Sequence, residues 1–302
     1  MKKILTISFL LILAFAMHGQ QKSGLLVEMP VPPSSIEGLT QRSNFIVDKF
    51  WDTFNPKSSF SNLDGLKYTL SQFFSVAPYA SADTVHASID KLLAKVAKAK
   101  PDNLLPLARL AEELVASDSA DYISEELYFP FVQAVATNKK VKGAEKSRYA
   151  MQFRQLDNSM TGRTAADFSF TRPDGTTGNF SDIKTQHILL FFYDPDCTDC
   201  RIAKARMAAD IAVPTFINAG LLTVMAIYPG EPDDVWRKDA AGLPESWVVG
   251  AWPEADTYFT MRNQPEIYYI DNTHRIRVKG VAVDNILNTF NDILNNALNN
   301  AK

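Results

Sequence analysis

The chain has 302 residues, a formal net charge of −3, 46% hydrophobic residues and 22% charged residues. That length accommodates two ordinary domains, and the balance is that of a globular protein. No long basic run offsets the negative charge, so a nucleic-acid role has no electrostatic footprint. With only two cysteines, three positions apart, the chain is not a disulfide-stapled scaffold.

In chain order, Lys2 and Lys3 precede an apolar stretch from Ile4 to Met17, broken only by Thr6 and Ser8. Ala14-Phe15-Ala16 then supplies small residues for a cleavage site. This is the layout of a secretory signal peptide. The run of about 14 residues is short of the roughly 20 that span a bilayer. No cysteine lies close enough to carry a lipid anchor. Residues 1–20 are thus expected to be a leader. The mature chain is expected to be soluble in the periplasm, an oxidising compartment.

Residues 21–36 carry Pro30, Pro32, Pro33, Ser34 and Ser35 and read as an extended lead-in. Residues 37–155 show helical periodicity and almost no strand pattern. Phe45, Ile46, Phe50 and Phe54 fall on one predicted face; Leu66, Leu70, Phe73 and Phe74 on a second; Val85, Ile89, Leu92, Leu93 and Val96 on a third; Leu107, Leu110, Leu114 and Val115 on a fourth. Pro101, Pro106 and Pro130 are expected to punctuate these helices. The result is an all-α bundle whose aromatic residues read as core, with no catalytic constellation.

The pattern changes in residues 160–302. Asp167 to Thr171 alternates like a strand, and Pro173-Asp174-Gly175 signals a turn. Ile188 to Tyr193 and Leu221 to Tyr228 are continuous apolar runs, as in strands buried on both faces. Helical character runs from Cys197 to about Ala212. Glu266 to Ile270 and Arg275 to Val281 flank Asp271-Asn272-Thr273 as a hairpin. Ile286, Leu287, Phe290, Ile293, Leu294 and Leu298 form a last amphipathic helix that Asp284 could cap. The expected fold class is α+β overall, an N-terminal all-α bundle followed by a C-terminal α/β sandwich.

Chemistry concentrates in Phe192-Tyr193-Asp194-Pro195-Asp196-Cys197-Thr198-Asp199-Cys200. A buried strand ends, a Pro-containing turn follows, and C-x-x-C opens a helix. Unpaired N–H groups at a helix start favour a thiolate, which would lower the Cys197 pKa below the free value of about 8.5. Cys197 is then the nucleophile and Cys200, one turn on and inward, the resolving thiol. Competing readings are weaker. A ring this small removes little entropy from the unfolded chain, which argues against a structural disulfide. One C-x-x-C is half a zinc site, and His86, His187 and His274 lack ligand spacing. No cofactor is implied. A non-catalytic binding module remains the alternative from a different class.

From about Gly162 onward the chain resembles the thioredoxin-like family of the TlpA/ResA type, envelope thiol–disulfide oxidoreductases. The resemblance rests on Gly162 to Phe168 with Asp174-Gly175, on C-x-x-C after an apolar strand, and on Gln264-Pro265-Glu266-Ile267-Tyr268 followed by Ile270-Asp271. It implies that Gln264–Pro265 is a cis peptide facing the cysteines and that Gln264 offers backbone groups to a substrate. It also implies protein thiols and disulfides as partners and a membrane protein as possible electron donor. The region before it resembles an uncharacterised domain that precedes such modules. A peroxidase, which shares the fold, would need Thr or Ser at Asp194 and Pro at Leu190. The chain departs from the family in several places. Asp196 stands where an aromatic is usual, and Thr198-Asp199 replaces Gly-Pro. Phe191 and Ala203 occupy positions where relatives carry acids. The base for Cys200 is therefore left open between Asp194, Asp199 and water. Asp194, Asp196 and Asp199 together oppose a thiolate at Cys197, which would make the couple more reducing.

Overall fold

The computed structural model describes residues 24–300. The expected signal peptide, residues 1–20, lies outside the described residues, as do residues 21–23 of the lead-in. The chain forms two compact units, one ending at Ala150 and the other beginning at Met151.

The first unit is helical: α1 (Leu39–Lys49), α2 (Leu63–Val76), α3 (Ala82–Ala99), α4 (Leu104–Val115), α5 (Glu125–Thr137) and α6 (Ala144–Ser159), the last running across the boundary. Asn62 and Ser124 cap α2 and α5 by accepting from the N–H of Gly65 and Leu127 at 2.9 and 3.3 Å. The apolar faces meet in an aromatic core. Phe50 lies edge-on to Trp51 and Phe73 at 4.7 and 5.3 Å, and Phe74 to Phe131 at 6.0 Å.

Three expectations need correction here. Helix α1 stops at Lys49, so Phe50 and Phe54 enter the core from the turns beyond it, while Phe45 is only half-buried. On α4 the buried stripe is Leu104, Leu107, Ala108, Ala111 and Val115, with Leu110 and Leu114 at its margin. Pro130 does not end a helix. It sits inside α5, where the buried flanks Tyr128, Phe129, Phe131 and Val132 hold the helix together across the missing N–H.

The second unit is built on a 7-stranded sheet in the order β2-β1-β5-β4-β3-β6-β7. The strands are β1 (Ser169–Thr171), β2 (Thr177–Asn179), β3 (His187–Phe192), β4 (Leu222–Tyr228), β5 (Val248–Ala251), β6 (Glu266–Asp271) and β7 (Ile276–Lys279). Strands β3, β4 and β5 are parallel, β6 runs antiparallel to β3, and β7 pairs antiparallel with β6. Period-two alternation splits each central strand between two cores. Leu189, Phe191, Val224, Ala226 and Ile267 face one side; Ile188, Leu190, Phe192, Met225, Ile227 and Tyr268 face the other. The first side is covered by α7 (Thr198–Ala209), α8 (Ala212–Asn218), α9 (Asp234–Ala240) and the start of α11 (Val283–Asn300). The second side is covered by Phe168, Phe170, Phe180, Trp252 and Phe259, with α10 (Ala255–Tyr258) between the last two.

On α11, Ile286, Leu287 and Phe290 are buried, whereas Ile293 and Leu298 are half-exposed at 50% and 55%. Asp284 is not its cap. It lies within the first turn and forms an ion pair with Arg206 of α7. Arg172 to Thr176 closes the expected turn, with Gly175 at φ 84°.

Candidate active site at the end of the central strand

Antiparallel pairing places the site. Phe192, the last residue of β3, stands opposite Glu266, the first of β6. The residues after Phe192 and those before Glu266 therefore emerge side by side. The first are the C-x-x-C loop and the second are Gln264–Pro265, joined by a cis bond.

The loop is tied locally. The Tyr193 N–H donates to the Ile227 carbonyl at 3.1 Å, extending the ladder by one residue. The Asp194 carbonyl accepts from the Cys197 N–H at 3.2 Å and its carboxylate from the Asp196 N–H at 2.8 Å. Asp194 thus builds the turn and is half-buried; Asp196 and Asp199 are exposed. Cys197 is the N-cap of α7, in an extended conformation at φ −76° and ψ 118°, and its sulfur accepts from the Cys200 N–H at 3.1 Å. Helix α7 continues with the Arg201 N–H on the Cys197 carbonyl, while the Arg201 guanidinium donates to the Thr198 hydroxyl at 3.0 Å.

Cys197 and Cys200 are joined by a disulfide, with Cα atoms 5.2 Å apart. Cys200 is fully buried and Cys197 half-buried. The Gln264 carbonyl lies 3.7 Å from the Cys197 sulfur. A groove of about 280 Å³ opens beside the pair, lined by Asp199, Ile202, Ala203, Asn263, Gln264, Pro265 and Val281 to Val283. The structure therefore brings together Cys197, Cys200, Asp199, Gln264 and Pro265, with Asp194, Asp196 and Thr198 on the same loop.

Sequence reasoning missed several supporting groups. Glu266 is 3% exposed, and its carboxylate accepts from the Asn263 N–H at 3.0 Å, closing the segment that carries Gln264 and Pro265. Lys204, one helical turn past Cys200, is buried against Asp239 of α9, with Nζ 2.7 and 2.6 Å from the two carboxylate oxygens. Its ammonium also stands 4.5 Å from the centre of the Tyr193 ring. Burial, then the nearby Asp239 charge, pushes the Tyr193 phenol well above its usual range. Burial likewise raises the Tyr228 phenol, helped by the charges of Asp194, Asp233 and Asp196. A lysine i+4 from a cysteine expected to face inward was the available signal; its partner 35 residues on was not.

Among the described residues, no group of three His, Cys, Asp or Glu side chains could hold a metal ion. His187 Nδ1 lies 2.7 Å from the Tyr269 hydroxyl and His274 Nε2 3.0 Å from the Ile183 carbonyl, both local links. No helix among the described residues is long and apolar enough to cross a membrane.

Sheet order, the C-x-x-C at a helix tip and the adjoining cis-proline make the C-terminal unit thioredoxin-like. Comparison agrees. A thioredoxin-like protein from Bacteroides caccae is similar over 87% of this chain and 97% of its own, at 20% identity and a TM-score of 0.67. A conserved protein of unknown function from Bacteroides fragilis is 32% identical over 43% of this chain and 98% of its own, TM-score 0.42. The thioredoxin domain of a thiol-disulfide oxidoreductase from Bacteroides vulgatus is 19% identical over 44% of this chain and 96% of its own, TM-score 0.39. Residues 14–159 match the model of a domain of unknown function, DUF5106. No curated protein matches. The chain thus joins a region similar to DUF5106 to a unit with a thioredoxin-like fold.

Proposed function

We propose that this protein is a periplasmic thiol–disulfide oxidoreductase that reduces protein disulfides through Cys197 and Cys200. The observation that carries the reading is the asymmetry of the pair. Cys197 is half-exposed at the helix tip beside Gln264, and Cys200 is buried behind it. In the reduced protein the Cys197 thiolate attacks a substrate disulfide. One substrate sulfur leaves as a thiolate, taking a proton, and a mixed disulfide remains. Cys200 loses its proton and attacks the Cys197 sulfur, which releases the second substrate thiol. Two electrons pass to the substrate and the protein ends as the disulfide seen here. Gln264 and Pro265 form the wall against which the substrate lies, and Asp194, Asp196, Thr198 and Asp199 modulate the pair. A dithiol donor at the membrane returns the electrons. Export is supported by the charged and apolar pattern of residues 1–20, and the reducing direction by the carboxylates around Cys197.

Trapping tests this reading. Cys200→Ser should accumulate a mixed disulfide with substrate through Cys197, and Cys197→Ser should accumulate none. Trapping that requires Cys200 reverses the roles. If neither variant traps and the wild type reduces no model disulfide, the domain is a binding scaffold. A reduction potential near about −270 mV fits a reductase, and one near about −120 mV an oxidant.

A further inference from the structure

Resting on that reading, we propose that the substrate is a cationic, extended polypeptide segment whose cysteine is flanked by an apolar residue on one side and by Lys or Arg on the other. Two surfaces meet at the Cys197 sulfur and differ in chemistry. The groove wall is apolar. Ile202, on the turn after Cys200, is 52% exposed and lines this groove. Pro265, Val281 and Val283 line the same groove.

The rim is acidic. Asp196 and Asp199 flank Cys197 in sequence, both are exposed, and neither carboxylate has an ion-pair partner among the described residues. Asp194, by contrast, spends its carboxylate on the Asp196 N–H. The loop's own cation, Arg201, is turned to the Thr198 hydroxyl. A substrate sulfur must come within bonding distance of Cys197, so side chains next to it approach the loop that carries these carboxylates. Within the Debye length of about 8 Å, charge sign discriminates between partners and steers their encounter. An acidic segment would be disfavoured by the same charges.

The test uses the reduced full-length protein and synthetic peptides, each holding its cysteine as a mixed disulfide with cysteamine. The peptides are identical except for Lys, Gln or Glu on one side of the cysteine, and Leu or Ser on the other. The rate constant for reduction should be about fivefold higher for Lys than for Glu at low salt, with the ratio approaching one at 1 M salt, where charges are screened within about 3 Å. Asp196→Asn/Asp199→Asn should abolish the ratio. Any general change this variant makes in thiolate reactivity cancels between the peptides. Ile202→Ser should abolish the Leu-over-Ser preference and leave the charge preference intact. Equal rates for Lys and Glu peptides in the wild type overturn the proposal while leaving the oxidoreductase reading standing. Failure to reduce any peptide overturns both.

Discussion

Lys204→Met breaks the buried ion pair behind the cysteines. Its side chain is 8% exposed and that of Asp239 21%. The substitution keeps the volume of the stem but removes two short charge-assisted hydrogen bonds and the cation over Tyr193. Breaking one partner of a buried pair costs about 3–5 kcal/mol, chiefly because the other charge is left without compensation. Asp239 keeps some contact with water, so the low end applies, about 3 kcal/mol. For a unit of this size that lowers the melting temperature by about 6–12 °C. Hydrogen exchange of the β3 and β4 amides reads the C-terminal unit separately from the helical one. Asp239→Asn should cost a similar amount, because it strands Lys204. The double variant should cost well under the sum, because no buried charge remains. Single variants that each cost less than about 1 kcal/mol, or costs that simply add, would show that the two ions are independently solvated and that this reasoning is wrong.

Two further outcomes follow from packing and hydrogen bonding. Gly178 and Gly250 bracket the buried ring of Phe170, so the methyl of Gly250→Ala would overlap that ring. The overpacking should cost about 1–3 kcal/mol in urea unfolding, and the partial rescue expected from adding Phe170→Leu would be absent if the ring were free to move. Burial alone would raise the Asp271 carboxyl, but donors from the Thr273 hydroxyl, the Arg275 and Thr273 backbone N–H and the Arg277 guanidinium outweigh it and hold the group well below the usual carboxylate range. Its contribution is then present above the unfolded value of about 3.9 and is lost as pH falls towards the lower folded value. Asp271→Asn should therefore lower stability at pH 7 and flatten the loss of stability below about pH 4; an unchanged acid limb would refute it.

Long periodic elements were legible in the sequence because burial imposes its period on them. Strands β3 and β4 lie within a residue of the apolar runs Ile188 to Tyr193 and Leu221 to Tyr228, and helices α2 and α3 contain the expected faces Leu66 to Phe74 and Val85 to Val96. Short elements were not. Strands β2 and β5 have three and four residues and each contains a glycine, Gly178 or Gly250, that exists to admit the Phe170 ring. A glycine chosen for close approach looks like a turn signal when read alone. Helices α9 and α10 are too short to show a period, and α5 tolerates Pro130 because tertiary burial outweighs its local preference. At the site, the cysteine spacing was readable from chemistry. Gln264 and Pro265 were readable only through resemblance, since the pairing of β3 with β6 is a long-range fact. Glu266, Lys204 and Asp239 could not be paired from one sequence, because what marks them is burial.

The geometry of the loop also bears on the proposed reducing direction. Three carboxylates near Cys197 do not act equally. Asp194 is committed to the turn through the Asp196 N–H, which leaves Asp196 and Asp199 to oppose a thiolate from exposed positions. Opposition across water is weak, about 1 kcal/mol for unit charges 4 Å apart, and salt reduces it further. Against it stands a direct donor, the Cys200 N–H at 3.1 Å from the Cys197 sulfur, backed by the other free N–H groups of the α7 start. A hydrogen bond to a charged group contributes about 1.5–3 kcal/mol. The donor therefore outweighs the carboxylates. On the proposed reading Cys197 is the nucleophile, and its thiolate gains less than the same helix tip would give without Asp196 and Asp199. A dithiol stabilised only this far holds its electrons less tightly than a strongly oxidising pair. On the proposed reading, the couple is expected nearer the thioredoxin value of about −270 mV than the value of about −120 mV reached when the reduced form is strongly favoured. Removing both exposed carboxylates should accordingly move the potential upward, towards the oxidising side.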